Sequence, residues 1–508
     1  MKKFLSLVLA VIMVMSMMSF AAAEEPLTIT VMLPDFYTDT DFQKDDNPVL
    51  QYIEQQTGVK LEINWVANSA YGELTSTTMS DKPDDQPMVM VIQGARDAAT
   101  LDNARAGAFW DLTPYLDQYP NLAAGNDTVY NNISIDGKVY GIYRARPMAR
   151  AGVYYRTDIA AKMGITEEPK TMEDLTKLAM ALAEYKNEEG TDTYALNMCK
   201  YVAGTIGVIT TMFGAPNEWG VDENGDVYPA FQDPHYLEGL NWLRDLYAAG
   251  GINPDFMILE SGEWDNQERT EKCFMRFDCL DNGYRMQEWF QNNLPEKVTN
   301  ENGEFVDIWA LVPTVENAQG ELRMWPQNAG FNGEIVVTRA VKDEATLQKI
   351  LSFLDWCCSP DGYNTLNYGL DQVTYWVRED GYRYTKPTDD VDMSAQVNAI
   401  QHSLNQLGMF NSGEDLTVTA TTALRTEYAA VNKECEVYCI GNPCYALESE
   451  TNQMFGSVLA QNLEDAHVQY IAGKKSLEEL QAAWQEWSEQ GGAEIIKEYN
   501  AAYHAIQQ

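Results

Sequence analysis

The sequence predicts an α/β protein with more than one lobe, and three features carry that reading. Its first folded stretch runs strand, helix, strand, strand. Its 508 residues are 45% apolar and 11% aromatic, which is more than one core's worth of buried surface. Its later part holds long amphipathic helices with no internal repeat and no low-complexity tract.

The elements follow in order. Leu27-Thr-Ile-Thr-Val-Met-Leu33 reads as a core strand ending at Pro34-Asp35, and an amphipathic helix spans Pro48 to Gln56, closed by Gly58. Val59 to Trp65 alternates apolar and polar as a second strand. Met88-Val-Met-Val-Ile92 is a continuous apolar run of the kind a parallel sheet buries on both faces. Strand, helix and strand in that order imply right-handed crossovers and an α/β lobe. Asp136-Gly137, between Ile133-x-Ile135 and Val139-x-Gly141, is a hairpin turn signal, as are Asn224-Gly225 and Asn302-Gly303. Thr171-Met-Glu-Asp174 starts a helix with its cap and acid in the favoured places. Pro234 to Tyr247 repeats Leu237, Leu240, Leu243 and Leu246 near one face and stops at Gly250-Gly251. Thr346 to Trp356 does the same through Leu347, Ile350, Leu351 and Leu354. Ser476-x-x-Glu479 is a capping box, and its helix stops at Gly491-Gly492 before a final helix to Gln508.

Charge and export signals bound the function. Asp and Glu number 76 against 35 Lys and Arg, giving a net charge of −41, so the chain is not expected to bind nucleic acid, whose phosphates need Lys and Arg. Met1-Lys2-Lys3, an apolar run from Phe4 to Met18, and Ala21-Ala22-Ala23-Glu24 have the layout of a signal peptide over residues 1–23, cleaved after Ala23. The run is shorter than the roughly 20 residues of a membrane-spanning helix. The expected product is exported and anionic. Eight cysteines permit disulfides outside the cell, but the sequence does not choose a pairing. Cys435-x3-Cys439-x4-Cys444 lacks a second half and a nearby His, which favours disulfides or plain thiols over a metal site. Cys357-Cys358 follows an apolar helical run and reads as buried.

Catalytic motifs are absent. There is no His-Glu-x-x-His, Gly-x-Ser-x-Gly, P-loop or dinucleotide glycine motif, and His235, His402, His467 and His504 read as surface or packing residues. One stretch departs from its background. Gly137 to Thr157 holds five basic residues, Lys138, Arg144, Arg146, Arg150 and Arg156, and no acid, interleaved with Tyr140, Tyr143, Tyr154 and Tyr155. Arginine forks hold carboxylate or hydroxyl oxygens, and aromatic faces cover the apolar face of a ring. The competing reading has these arginines bridging two lobes by ion pairs.

At this stretch the chain resembles a known family. Asp136-Gly-Lys-Val-Tyr-Gly-Ile-Tyr-Arg-Ala-Arg-Pro-Met-Ala-Arg-Ala-Gly-Val-Tyr-Tyr-Arg156, followed by Met163-Gly-Ile and Pro169-Lys-Thr-Met-Glu-Asp, is similar to the signature of the family 1 extracellular solute-binding proteins of ABC importers, in their large oligosaccharide-binding branch. Trp219 to Tyr228, Tyr236-Leu-Glu-Gly-Leu, Gly251-Ile-Asn-Pro-Asp255, Phe353-Leu-Asp-Trp356, Ser359-Pro-Asp-Gly362, Tyr368-Gly369, Tyr470-Ile-Ala-Gly473 and Glu498 to Tyr503 extend it over nearly the whole mature chain. The resemblance implies a type II periplasmic-binding-protein-like α/β fold: two lobes joined by hinge strands, with a helix-rich C-terminal region. Crossings are expected near Tyr143 to Arg150, near Trp325 to Glu334 and around 400–415. Residues 27–145 and 335–400 would then form lobe 1, and 146–334 and 401–508 lobe 2.

Two departures from the family matter. Many members carry a lipobox cysteine at the cleavage site, whereas Glu24 follows Ala23 here and the first cysteine is Cys199. Some members hold calcium in a loop before an Asp-Thr-Tyr segment. Asn187-Glu-Glu-Gly-Thr-Asp192-Thr-Tyr194 is shorter and has fewer ligands in register, so no cofactor is expected, with calcium the alternative.

The resemblance implies a non-enzymatic, monomeric receptor that captures an oligosaccharide between its lobes and delivers it to the transmembrane subunits of an ABC permease. Candidate ligand contacts lie near predicted crossings or strand ends: Gln93, Arg96, Arg144, Arg146, Tyr154, Trp264, Asp278, Asn282, Trp309, Trp325, Asn328 and Asn332. For each Trp the alternative is core packing. Arg144 and Arg146, a basic pair in an acidic protein, suggest an acidic ligand. The rival readings are a secreted polysaccharide-cleaving enzyme and a peptide- or surface-interaction protein.

Overall fold

The computed structural model describes residues 26–35, 47–94, 98–186, 192–260, 263–379, 381–385, 397, 400, 403–417 and 422–507. The expected signal peptide, the candidate Arg96 and residues 187–191 of the calcium-loop reading lie outside them. Eleven strands build the frame: β1 Leu27–Asp35, β2 Val59–Ala67, β3 Val89–Ile92, β4 Gly141–Ala145, β5 Ala151–Arg156, β6 Tyr194–Leu196, β7 Trp219–Val221, β8 Val227–Pro229, β9 Cys273–Cys279, β10 Trp309–Val312 and β11 Phe331–Val337.

Nine of these strands form two mixed sheets, and β7 and β8 a separate hairpin. The first has the order β2-β1-β3-β11-β4, with β1 to β3 parallel and β11 antiparallel to both its neighbours. The second has the order β10-β5-β9-β6, with β5 antiparallel to β9 and β10. Each sheet has its own core. Val31, Leu33, Val91, Ile335, Leu351 and Leu354 are fully buried around the first, and Val153, Leu175, Leu196, Leu243 and Phe277 around the second. A two-lobed α/β protein follows, since each lobe buries apolar side chains without help from the other.

Local chemistry explains many boundaries. Asn47 accepts hydrogen bonds from Val49 N and Leu50 N at the start of helix Pro48–Thr57, and Gly58 closes it in the left-handed region. Thr171 with Asp174, and Ser476 with Glu479, form complete capping boxes. Asn224-Gly225 turns the β7–β8 hairpin. The Asp136-Gly137 turn forms, both residues at positive φ, but a single bridge flanks it because Ile133 ends the helix Asp127–Ile133. The first lobe also runs further than residues 335–400. β11 belongs to it from Phe331, and Leu404, Leu407, Met409 and Phe410 lie in its core, with Ser403 Oγ donating to Asp35 Oδ1 at 2.7 Å and Phe410 stacked on Tyr143. All eight cysteines are thiols in this structure, six of them buried.

Below the second sheet lies a charged network. Glu268 accepts from Arg276 Nε and Nη2 at 2.7 Å, from Tyr154 Oη at 3.1 Å and from Asn197 Nδ2 at 2.9 Å. Trp264 Nε1 donates to the Asn197 carbonyl at 3.2 Å, and its ring lies 4.4 Å from the Arg276 guanidinium. The C-terminal helices Glu450–Ile471, Leu477–Trp487 and Ala493–Ile506 pack on the same lobe. Between them Trp484 Nε1 donates to His467 Nε2 at 3.1 Å, which leaves the ring proton on Nδ1, 3.4 Å from the Tyr236 hydroxyl.

Two outcomes test this packing. Glu268→Ala strands a buried guanidinium and is expected to cost about 3–5 kcal/mol in urea denaturation, more than Glu268→Gln. Burial holds His467 neutral and its pKa down at about 4, against 6.5 in an exposed ring. The stability carried by the neutral ring is therefore complete above pH 6.5 and is lost as pH falls towards 4. Relative to His467→Gln, the parent should lose about 3 kcal/mol over that window, read from denaturation midpoints at each pH.

Candidate functional site: the cleft between the lobes

The strands aim their ends at one crevice. Asp35 ends β1, Gln93 and Arg146 follow β3 and β4, and Asn332 lies at the start of β11 beside them; open α/β sheets place ligands outside such strand ends. On the other side, pairing of Ala151 with Cys279 brings Arg150, Asp278 and Asn282 to the near edge of the second sheet. The first two crossings are tied together. Asn328 Nδ2 donates to the Pro147 carbonyl at 3.0 Å, and Gln327 N donates to that of Met148 at 3.2 Å.

The basic island divides by what its cations touch. Lys138 pairs with Asp111, Arg156 with Asp158 and Glu271, and Arg150 makes a two-pronged bond to Asp281 at 2.9 Å on both arms. These three are ion-paired, but each within its own lobe, so the pairs do not bridge the lobes as the competing reading had it. Arg144 and Arg146 differ. Arg144 is 5% exposed, and its partners are neutral: the Asn332 carbonyl at 3.2 Å and Gln406 Oε1 at 2.6 Å, with Nε lacking an acceptor. Burial, and then the neighbouring Arg146 charge, pull its pKa down to about 10. Arg146 is exposed and donates to the Ala145 carbonyl at 2.9 Å; among the described residues it has no carboxylate partner.

The remaining candidates separate clearly. Gln93 is half-buried and donates to Asn68 Oδ1 at 3.0 Å; Asn282 donates to Asp278 Oδ2 at 2.8 Å, and burial raises the pKa of Asp278. Asn332 is exposed at the crevice edge, and Trp325 is half-buried on the second crossing. Asn328 mainly fixes that crossing, its Oδ1 accepting from Gly330 N at 2.8 Å. Tyr154, Trp264 and Trp309 are a correction: all three are buried in the second lobe, where the Glu268 network and the core around Phe290 enclose them, so none presents a face to a ligand. Sequence reasoning missed Tyr201, which is 45% exposed, shares a hydrogen bond with Gln327 and lies beside Asp278. A bulky aromatic just past the apolar strand β6 was its only signal. It also missed Gln406 and Tyr363, the latter close enough to feel the Arg146 charge. Tyr363 opens onto a cavity of about 510 Å³ between the lobes that Tyr284 and Tyr428 also line. Among the described residues no group of three or more His, Cys, Asp or Glu could hold a metal ion.

Charge bookkeeping at the crevice is measurable. Arg150→Met leaves buried Asp281 short of a partner and is expected to lower the unfolding free energy by about 1.5–3 kcal/mol. Arg144→Met, which removes an uncompensated buried cation, should stay within about 1 kcal/mol of the parent or exceed it.

Comparison with known proteins agrees with this architecture. The family model for the bacterial extracellular solute-binding proteins matches residues 39–258. The chain is 28% identical to lipoprotein LipO of Bacillus subtilis (strain 168) over 99% of its own length and 98% of that protein's. It is 25% identical to the polygalacturonan/rhamnogalacturonan-binding protein YtcQ of the same organism, over 91% and 89%. Among solved structures, an HMO-binding, ABC-transporter-associated solute-binding protein from Bifidobacterium longum infantis ATCC 15697 superposes with a TM-score of 0.62 at 14% identity, over 96% of this chain and 100% of that one. In its matched segment, in relatives aligned over nearly their whole length and in its two-lobed fold, the chain is similar to the bacterial extracellular solute-binding proteins.

Proposed function

We propose that this protein captures an acidic oligosaccharide in the crevice between its lobes and passes it unchanged to an ABC permease, acting as a monomer outside the cytoplasm. One observation carries the reading: in a chain with net charge −41, two cations at the crevice have, among the described residues, only neutral partners, while three others of the same stretch are paired with carboxylates. A sugar carboxylate would supply the missing charge through the two-pronged geometry that arginine favours. The name of the relative YtcQ, a binder of polygalacturonan and rhamnogalacturonan, supports the same class. Tyr201, Tyr363 and Trp325 would cover the C–H faces of rings, and Gln93, Asn282 and Asn332 would meet hydroxyls.

Contacts made to both lobes at once would shift the population towards the closed form, and the ligand can drive closure only by its difference in affinity for the two forms. No bond in the sugar is broken in this scheme.

The test is titration with trigalacturonate by calorimetry, with small-angle scattering in parallel. The expected results are a fall in radius of gyration on binding, affinity that weakens with added salt, and at least a tenfold loss in a folded Arg146→Ala variant. Equal affinity in that variant would overturn the assignment, and new reducing ends after incubation would make the protein an enzyme instead.

A further inference from the structure

A second cavity lies away from the crevice floor. It is a chamber of about 640 Å³ within the second lobe, between helix Val202–Phe213 and the C-terminal helices, in the size range of pockets that enclose small ligands. Its walls include Trp219, Phe231, Tyr236, Trp325 and Trp487. Its acidic groups are two carboxylates, Glu218 and Glu464, beside the neutral polar Thr210, Thr211, Asn442 and Asn452, and among its lining residues there is no Lys or Arg. The neutral His467 ring adds no charge.

The chamber borders the crossings. A smaller cavity holding Met148, Gln327 and Asn328 of the first two crossings shares Glu218, Trp325, Asn442 and Tyr445 with it. Trp325 can stand there because residue 207 is glycine; a Cβ at Gly207 would lie 2.7 Å from the indole. Tyr201 at the crevice feels the Glu464 charge.

Glu218 is held with effort. Its backbone has φ 58°, a left-handed conformation that a non-glycine residue adopts only when its surroundings impose it, and one that concentrates at binding sites. Asn442 Nδ2 donates to its carboxyl at 2.9 Å, while burial raises its pKa, as it does that of Glu464. Neither carboxylate has a cationic partner among the described residues. Two uncompensated acids beside aromatic faces accept hydroxyl or ammonium protons and repel a uronate.

We propose that this chamber is a second subsite, for an uncharged or amine-bearing sugar ring, and that the ligand is a mixed oligosaccharide, anionic where it meets Arg144 and Arg146 and without negative charge where it enters the chamber. The proposal rests on the crevice reading above and adds a charge direction to it. Each end of the ligand would then be refused by the wrong end of the site, which is specificity by repulsion as well as attraction.

The test uses the full chain and three forms of one trisaccharide: trigalacturonate with three free carboxylates, with one, and fully methyl-esterified. The parent should bind the form with a single carboxylate at least tenfold more tightly than the form with three. The double variant Glu218→Gln/Glu464→Gln should gain at least tenfold for the form with three carboxylates and change less than threefold for the form with one. Ala460→Trp, which fills the chamber from a helix face, should cost at least tenfold for the single-carboxylate form and leave trigalacturonate unaffected. If Arg146→Ala weakens binding but the double variant and Ala460→Trp leave all three affinities within twofold, the chamber proposal falls and the crevice reading stands. If the parent binds none of the three, both fall.

Discussion

A guanidinium buried without a carboxylate beside it opposes folding, and Arg144 is such a group. The chain offers 76 acids, and it places them on Arg150, Arg156 and Lys138 within the same stretch while leaving Arg144 and Arg146 to neutral partners. That pattern makes sense when the counter-charge arrives from outside. Stability withheld at one point becomes binding free energy when a ligand supplies what the fold does not.

The rest of the architecture serves to keep this arrangement addressable from two sides. Because each sheet buries its own core, the lobes can move as rigid bodies with little repacking. Ties between them include polar ones, Asn328 to Pro147, Asn132 Nδ2 to the Ala329 carbonyl, Asn126 to Glu436 and Arg105 to Glu448 at 3.2 Å, and the edge contact of Phe331 with Tyr445. These hold the hinge side together. They leave the strand ends of both sheets free to face a common space.

Much of the frame was legible because it depends on neighbours in sequence. The capping residues Thr171 and Ser476, the turn at Asn224-Gly225 and the apolar run of β3 act within a few positions of themselves. The site was legible only in part, for the opposite reason. Tyr154 and Trp264 have the chemistry of sugar platforms, but Glu268, 114 residues from Tyr154, claims them for a buried network. Whether an aromatic faces a core or a ligand is settled by partners that lie far away in the chain. The split within the basic island had the same origin, since only the fold shows that Asp281 reaches Arg150 and that, among the described residues, no acid pairs with Arg144. Leu404 to Phe410 joined the first lobe through long-range packing of the same sort.

The central claim is that a ligand carboxylate completes the charge of Arg144 and Arg146. The most direct measurement is the ionisation of that carboxylate itself, followed by carbon NMR on 13C-labelled trigalacturonate saturated with protein. An ion pair with the two guanidinium groups should lower the pKa of at least one bound carboxyl by a unit or more relative to free sugar, and Arg146→Ala should return it towards the free value. A bound sugar whose carboxyls all titrate as they do in water would contradict the account.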